Sequence, residues 1–368
     1  MCKIKFTTFG FLGLGLIGGS IARSIRDNLP ESKIIAYNRH REASEAALAD
    51  GVADIIADEP GEAFSGCDII FLCMPVGVNN DHVSIIKPFL KDGAILTDVG
   101  SVKTPIHNAV KEAGLEAHFI GGHPMAGSER VGYAASKTSI LQNAYYILTP
   151  TDTVPEDSID SFVELVKLMD AIPLVLTCDK HDEIVAGVSH LPHVIAAALV
   201  GLVRDSDGSD GLMKTIAAGG FKDITRIASS SAEMWRQICL TNDGNIDKLL
   251  TDFIASLESF KTTLESRDPD KLYDFFDGAR SYRDSFVDAG HGPIKVRYEF
   301  TVDIADEPGA LAAIATILAL NGISIKNIGI LHNREYLGGD LRIEFEDGES
   351  LGRAESILSA KGYTIHNK

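Results

Sequence analysis

A glycine run, Gly13-Leu14-Gly15-Leu16-Ile17-Gly18, follows an apolar strand-like stretch and opens a helical pattern near the start of the 368-residue chain. That strand-turn-helix context separates a G-x-G-x-x-G spacing from a chance match. Gly13 permits the tight turn, Gly15 lets backbone amides approach a pyrophosphate, and Gly18 lets the helix lie close to the strand. The helix N-terminus, with Leu16 and Ile17 in its first turn, favours the phosphate charge. A chain that opens in this way is held to a doubly wound α/β sheet, with ligands beyond the carboxyl ends of the strands. Apolar runs at 4–12, 33–37, 68–73, 94–98, 118–121 and 145–149 alternate with helical patterns, as a mostly parallel Rossmann-type sheet requires. The run 6–22, preceded by Lys3 and Lys5, imitates a signal peptide, but its glycine spacing argues for the nucleotide turn instead.

After a further strand-like run at 172–177 the periodicity becomes helical from Asp179 to about Asp288, which reads as an all-helical second domain. Gly290-His291-Gly292-Pro293 is a breaker and a plausible linker. Beyond it, strand-like runs at 296–304, 323–331, 341–346 and 363–366 and helical patterns at 309–321 and 351–360 follow in the order βαββαβ, a small ferredoxin-like domain. The expected domains are therefore 1–178, dinucleotide-binding; 179–290, helical; and 294–368, ferredoxin-like. The long helical segment suggests a homodimer, because such helices commonly pair across an interface.

Hydrophobic residues at 45% and charged residues at 23% suit a soluble globular enzyme. No other segment reaches about eighteen consecutive apolar residues, so a membrane span is unsupported. The formal net charge of −18 speaks against a nucleic-acid or anionic-membrane surface, which needs concentrated Lys and Arg. An anionic substrate would need local positive charge against that background. The five cysteines, Cys2, Cys67, Cys73, Cys178 and Cys239, have neither disulfide-framework nor zinc spacing, and a reducing cytoplasm is expected.

The chemistry gathers around Gly121-Gly122-His123-Pro124-Met125-Ala126-Gly127-Ser128-Glu129. Glycines let backbone approach a ligand, and a histidine there exchanges a proton near neutral pH, so His123 could serve dehydrogenation of an alcohol or simply sit hydrogen-bonded in a turn. The acid that usually follows the glycine fingerprint by about twenty residues is replaced by Asn38-Arg39. Asn38 can bond a ribose hydroxyl and Arg39 can pair with a 2′-phosphate; NAD and NADP both remain open, with residue chemistry leaning to NADP. Cys73-Met74-Pro75 ends a strand where a nucleotide ribose would pass, with Cys73 itself better read as core. Ser101, in Asp98-Val99-Gly100-Ser101-Val102-Lys103, puts a hydroxyl near the nicotinamide position or caps the next helix. His190 and His193 share a helix face, but H-x-x-H lacks a third metal ligand and no metal is expected; Pro192 should kink that helix and free a carbonyl near Val188. Asp223 and Arg226 lie one helical turn apart, as an intrahelical pair or with Arg226 as an anion anchor. Trp235, the only tryptophan, reads first as core.

Taken together, the segments 13–20, 98–103, 121–129, 189–193 and 219–235, in that order, resemble the prephenate dehydrogenase family of tyrosine biosynthesis. In the third domain Glu307-Pro308-Gly309-Ala310-Leu311 after Asp306, and Asn321-Gly322-Ile323, are similar to an ACT regulatory domain. The resemblance implies conversion of prephenate and NAD(P)+ to 4-hydroxyphenylpyruvate, carbon dioxide and NAD(P)H. It implies that His123 accepts the ring-hydroxyl proton as hydride leaves the same carbon, that Ser101 orients that hydroxyl and the nicotinamide, and that Arg226 clamps a substrate carboxylate with His193 nearby. Glu129, Asp182, Asp223, Gly219 and Trp235 match positions around the family's cleft. It also places NAD ahead of NADP despite Asn38, and implies L-tyrosine as an effector at the ACT domain. Arogenate dehydrogenase and a non-catalytic amino-acid sensor are the alternatives; a 6-phosphogluconate-type dehydrogenase, with a lysine base, fits the Gly-Gly-His-Pro segment less well.

Overall fold

The computed structural model describes residues 5–127, 130–288, 298–305, 307–331 and 338–366. Two compact units form, Met1–Tyr282 and Arg283–Lys368. In the first, five parallel strands, β1 (Thr8–Leu12), β2 (Lys33–Tyr37), β3 (Ile55–Ile56), β4 (Ile69–Leu72) and β5 (Ile95–Asp98), take the order β3-β2-β1-β4-β5. A second sheet of β6 (Ile120–Pro124), β7 (Tyr145–Pro150) and β8 (Ile172–Val175) lies beside it, linked by a parallel bridge between Leu96 and Phe119. There β7 runs antiparallel to β6 and parallel to β8.

Both faces of the main sheet are buried, so its strands are continuous apolar runs rather than alternating ones. Phe9, Phe11, Ile34, Ala36, Ile69 and Phe71 point to one face, where they meet helices α1 (Leu16–Asn28), α2 (Arg41–Ala49) and, later in the chain, the Phe162 and Leu165 side chains. Leu12, Ile35, Ile70, Leu72 and Leu96 point to the other, against α3 (Val76–Ile86) and α4 (Thr104–Ala113). Helix α5 (Glu156–Leu168) supplies the two residues just named. Each of the Phe, Ile and Leu side chains among them contributes on the order of 1.5–3 kcal/mol by leaving water.

Several strands differ from expectation: in the second unit one begins at Asn327 and not at 323 and another at Gly338 and not at 341, and two differences lie in the first unit. β3 has only two residues and carries no periodic signal to read. The sixth strand, expected to stop at Gly121, continues to Pro124 because pairing with β7 runs on through His123 opposite Ile147 and Pro124 opposite Tyr146. His123 therefore stands on a strand and not in a turn.

The helical half opens with α6 (Cys178–Val185), whose N-cap Thr177 accepts from the Lys180 amide at 3.3 Å. A π-helical segment, Ala186–His190, joins it to α7 (Leu191–Ser206). Pro192 sits in the first turn of α7. A proline cannot donate to the carbonyl four residues back and its ring crowds that oxygen; the wider π turn just before it provides the room, in place of a bare kink. The run Cys178–Ser206 is by length and composition apolar enough to cross a membrane; here it packs against neighbouring helices of the same unit. It is followed by α8 (Leu212–Ile216), α9 (Gly219–Thr225), α10 (Ala232–Thr241), α11 (Asp243–Ser266) and α12 (Pro269–Asp288).

The second unit contains β9 (Tyr298–Ala305), α13 (Ala310–Leu320), β10 (Asn327–Leu331), β11 (Gly338–Phe345), α14 (Gly348–Ala360) and β12 (Ile365–His366). Its strands are all antiparallel in the order β10-β11-β9-β12, the ferredoxin-like arrangement. Phe300, Val302, Leu341 and Ile343 pack against Ile314, Leu318, Ala354 and Leu358 as its core. Gly309 enters α13 at φ +95°, a conformation open to glycine at little cost. The proposed linker 290–293 and Asp306 lie outside the described residues.

Candidate active site

The nucleotide end is built by backbone. Gly13 has φ +103°, and a Cβ there would stand 2.8 Å from the Cys73 carbonyl oxygen; at Gly18 a Cβ would stand 2.5 Å from the Gly13 carbonyl. Only glycine lets the turn and α1 come this close to the end of β4. At Gly15, by contrast, a Cβ would meet nothing within 4 Å. Gly15 is the N-cap of α1, with no side-chain cap and no acid in the first turn, so the leading amides, including those of Leu16 and Ile17, are available to an anion. The cradle fits a dinucleotide pyrophosphate.

Asn38, at the end of β2, accepts the Leu14 amide on Oδ1 at 2.6 Å, while the Gly13 amide donates to the Tyr37 carbonyl at 2.8 Å. Arg39 beside it is exposed. Burial pushes the Cys73 thiol well above its usual range, so it acts as wall and not as nucleophile. Pro75 is the N-cap of α3, and Asn79 holds that turn by accepting the Met74 amide at 3.1 Å and donating to the Leu72 carbonyl at 3.2 Å.

The two glycines before His123 serve packing. A Cβ at Gly122 would fall 2.6 Å from the Asp98 carbonyl, and one at Gly121 would fall 2.3 Å from Thr149 Oγ1. They allow β6 to close on β5 and β7, where the sequence suggested room for a ligand. His123 is 8% exposed. Its Nδ1 lies 2.7 Å from Nε2 of His181, and His181 Nδ1 lies 2.7 Å from Oδ1 of Asp182. Asp182 also accepts the Lys103 and Thr104 amides, each at 2.8 Å, and the Thr104 hydroxyl at 2.6 Å. Burial pushes the Asp182 carboxyl up, but the bonds from His181, Thr104 and Lys103 outweigh it and bring the pKa down to about 2. Burial, then the neighbouring His181 and Lys103, holds His123 well below the usual histidine range, so it is neutral at pH 7.

Lys103 closes this cluster from the other side. Fully buried, its Nζ bonds the Asp98 carboxylate and donates to the Gly122 carbonyl at 2.8 Å. Asp98 in turn accepts the Gly100 amide at 2.8 Å and the Gly122 amide at 3.2 Å. Ser101 falls in chain order between Asp98 and Lys103, half-buried in the loop after β5.

On the helical side, His190 Nδ1 lies 3.1 Å from Asn242 Nδ2, which also donates to the Asp182 carbonyl at 2.9 Å. Burial lowers His190 to about 4. The His193 ring stacks on Trp235 at 3.8 Å, and His190 meets the same indole edge-on at 5.9 Å. Trp235 is thus a shared wall for both histidines of the H-x-x-H pair. Gly219 and Asp223 lie on α9; Arg226 follows where α9 gives way to a 3-10 turn at 226–229, so the expected single helical turn between Asp223 and Arg226 is broken after Thr225. Both α9 and the turn pack on α7, the helix of His193. Glu129 lies outside the described residues.

Sequence reasoning did not find His181, Lys103, Thr104 or Asn242. His181 is 58 residues from the histidine it bonds, and only its place one turn into a capped helix beside an acid hinted at it.

A glycine turn fitted to a dinucleotide, with a buried neutral histidine on an adjoining strand, defines an NAD-dependent oxidoreductase. Residues 21–174 match the model of the prephenate dehydrogenase nucleotide-binding domain and residues 177–278 that of the prephenate dehydrogenase dimerization domain. A prephenate dehydrogenase of Bacillus subtilis (strain 168) is 36% identical over 354 residues, 95% of each chain. The solved structure of prephenate dehydrogenase from A. aeolicus with hydroxyphenyl propionate and NAD+ superposes with a TM-score of 0.72 at 28% identity, over 77% of this chain and 99% of that one. An arogenate dehydrogenase from Synechocystis gives 0.69 at 28% identity, over 76% and 99%. The chain belongs to the prephenate dehydrogenase family.

Proposed function

We propose that this chain oxidises prephenate with NAD+, and that His123 is the base that takes the proton of the ring hydroxyl as hydride passes from the same carbon to the nicotinamide. What carries this reading is His123 itself: buried, neutral at pH 7, and bonded through His181 to Asp182. A neutral imidazole has a lone pair to offer the proton, and burial keeps His123 in that form at pH 7. NAD+, when bound along Gly13, Gly15 and Gly18, supplies the hydride acceptor. Once the ring carbon is oxidised, loss of the ring carboxylate as carbon dioxide gives an aromatic product, so no separate acid is needed for that step.

Ser101 orients the hydroxyl, and Arg226 with His193 holds a substrate carboxylate; guanidinium suits that task by its planar pair of donors. Trp235, Asp223 and Gly219 shape the cleft. The decisive measurement is the kcat of His123→Asn, expected to fall about 10²- to 10⁴-fold while NAD+ binding is retained. Near-normal turnover would remove His123 from the chemistry. Offering prephenate and arogenate, each with NAD+ and NADP+, separates this reading from the arogenate alternative, which the similarity to the Synechocystis enzyme keeps in play.

The ferredoxin-like unit, with its resemblance to an ACT domain, is proposed to bind L-tyrosine and inhibit the enzyme, in a cytoplasmic homodimer. A cavity of about 360 Å³ lined by Asp303, Glu307, Gly309 and Tyr363 supports an effector site there. Ending the chain at Asp288 should abolish tyrosine inhibition; inhibition that survives would place the effector elsewhere.

A further inference from the structure

We infer that His181 is a positioning residue that fixes the tautomer of His123: it keeps the His123 proton on Nδ1 and so leaves Nε2 as the nitrogen that receives the substrate's proton. The inference rests on the proposed role of His123 as base.

Hydrogen counting leads there from the far end of the chain. Asp182 is an anion already bonded by two amides and a hydroxyl, so its contact with His181 Nδ1 at 2.7 Å needs a proton on that nitrogen. A neutral imidazole carries one N–H, which makes His181 Nε2 an acceptor. The 2.7 Å contact between His181 Nε2 and His123 Nδ1 then needs its hydrogen from His123. The order Asp182, His181, His123 admits a single direction of donation as long as His181 is neutral. Were His181 doubly protonated, it would donate to both neighbours, His123 Nδ1 would accept, and the His123 proton would move to Nε2, where no further proton can be taken.

His181 is fully buried, and the charged and titratable groups about the pair are Asp182 on its own helix, His190 in the π segment after it, Asp98 at the end of β5, Lys103 in the loop that follows, His107 on α4 and His123 on β6. Asp182 is the anion bonded to His181, and Lys103 Nζ is matched by Asp98. Lys103 locks the pair mechanically as well. Its amide holds Asp182 and its ammonium holds the carbonyl of Gly122, the residue before His123, so both ends of the chain are tied to one residue. When His123 accepts a proton on Nε2, the imidazolium keeps its Nδ1–H bond to His181, with the Asp182 charge one ring further on.

The test is ¹⁵N NMR of the full-length protein with labelled histidine, at pH 7.5, using His123→Asn and His181→Phe to assign the ring signals. His123 should show a protonated Nδ1 and a bare Nε2 in the wild type, and should shift to the Nε2–H form in His181→Phe. In the same variant kcat should fall about 10²-fold or more, short of the roughly 10⁴ known for neutralising the acid that holds a catalytic histidine in a serine protease. KM for NAD+ should stay unchanged, and His181→Gln, whose amide oxygen accepts from His123 Nδ1, should recover much of the loss. A wild-type His123 protonated on Nε2 overturns the inference whether or not any variant folds. So does a folded His181→Phe with unchanged kcat and pH profile. Failure of the underlying reading looks different: His123→Asn would turn over normally while the tautomer remained as stated.

Discussion

The Leu14 amide donates to the side-chain oxygen of Asn38 at 2.6 Å, so the residue that follows β2 braces the glycine turn. An aspartate at this position keeps that bond with one oxygen and turns the second toward the ribose, where it accepts from hydroxyls and repels a 2′-phosphate. Asn38→Asp should therefore raise the ratio of kcat/KM for NAD+ over that for NADP+, by about tenfold if the gain is near 1.4 kcal/mol. An unchanged ratio would mean that Asn38 serves the turn alone.

Gly122 offers a second test, because the obstacle to a side chain there is backbone. A Cβ 2.6 Å from the Asp98 carbonyl and 3.0 Å from the Tyr146 ring cannot be accommodated without moving β6 away from β5. Gly122→Ala should lose about 1–3 kcal/mol in urea unfolding, the usual cost of overfilling a packed site, and should lower kcat by displacing His123. Wild-type stability and turnover would show that β6 has slack the close contacts do not suggest.

Much of this architecture was legible because it depends on local rules. The glycine fingerprint, the apolar runs of β1, β2, β4 and β5, the change to helical periodicity after β8 and the βαββαβ tail all repeat or alternate within short windows. Gly13, Gly18, His123, His193 and Trp235 stood out by residue type. The links between them did not, since Asp182 to Lys103 spans 79 residues and Asn242 to His190 spans 52. The Gly-Gly pair shows the same limit: glycine announces close approach, but only the folded sheet says that the group approaching Gly122 is the Asp98 carbonyl. Pro192 likewise announced a break, and the π segment that receives it is a property of the turn before it.

Lys103 and Asp98 form an ion pair with both partners at 2% exposure or less. Breaking such a pair from one side leaves a buried charge, which costs far more than the pair is worth against apolar replacements. Lys103→Met should destabilise the protein by about 3–5 kcal/mol in chemical denaturation. It should also loosen the Gly122 carbonyl and reduce kcat. A loss below about 1 kcal/mol would mean that the amides of Gly100 and Gly122 suffice for Asp98.

The buried histidines and Asp182 separate in their pH windows. His190, lowered by burial from 6.5 to about 4, is neutral in the folded protein where the unfolded chain takes a proton. Its depressed pKa makes stability rise with pH between about 4 and 6.5, and acid removes that stability over the same interval. A shift from 6.5 to about 4 is worth about 3 kcal/mol. His107 and His123 are lowered as well and add in the same direction. Asp182, brought from 3.8 to about 2, keeps its contribution above 3.8 and loses it only below, as pH falls toward 2. The Tm of wild type should thus drop in two stages on acidification, one above pH 4 and one below. His190→Gln, whose side-chain oxygen accepts from Asn242 in place of the ring nitrogen, should flatten the upper stage and leave the lower one intact. Parallel curves for the two proteins between pH 6.5 and 4 would show that His190 takes its proton in the folded state as readily as in the unfolded one.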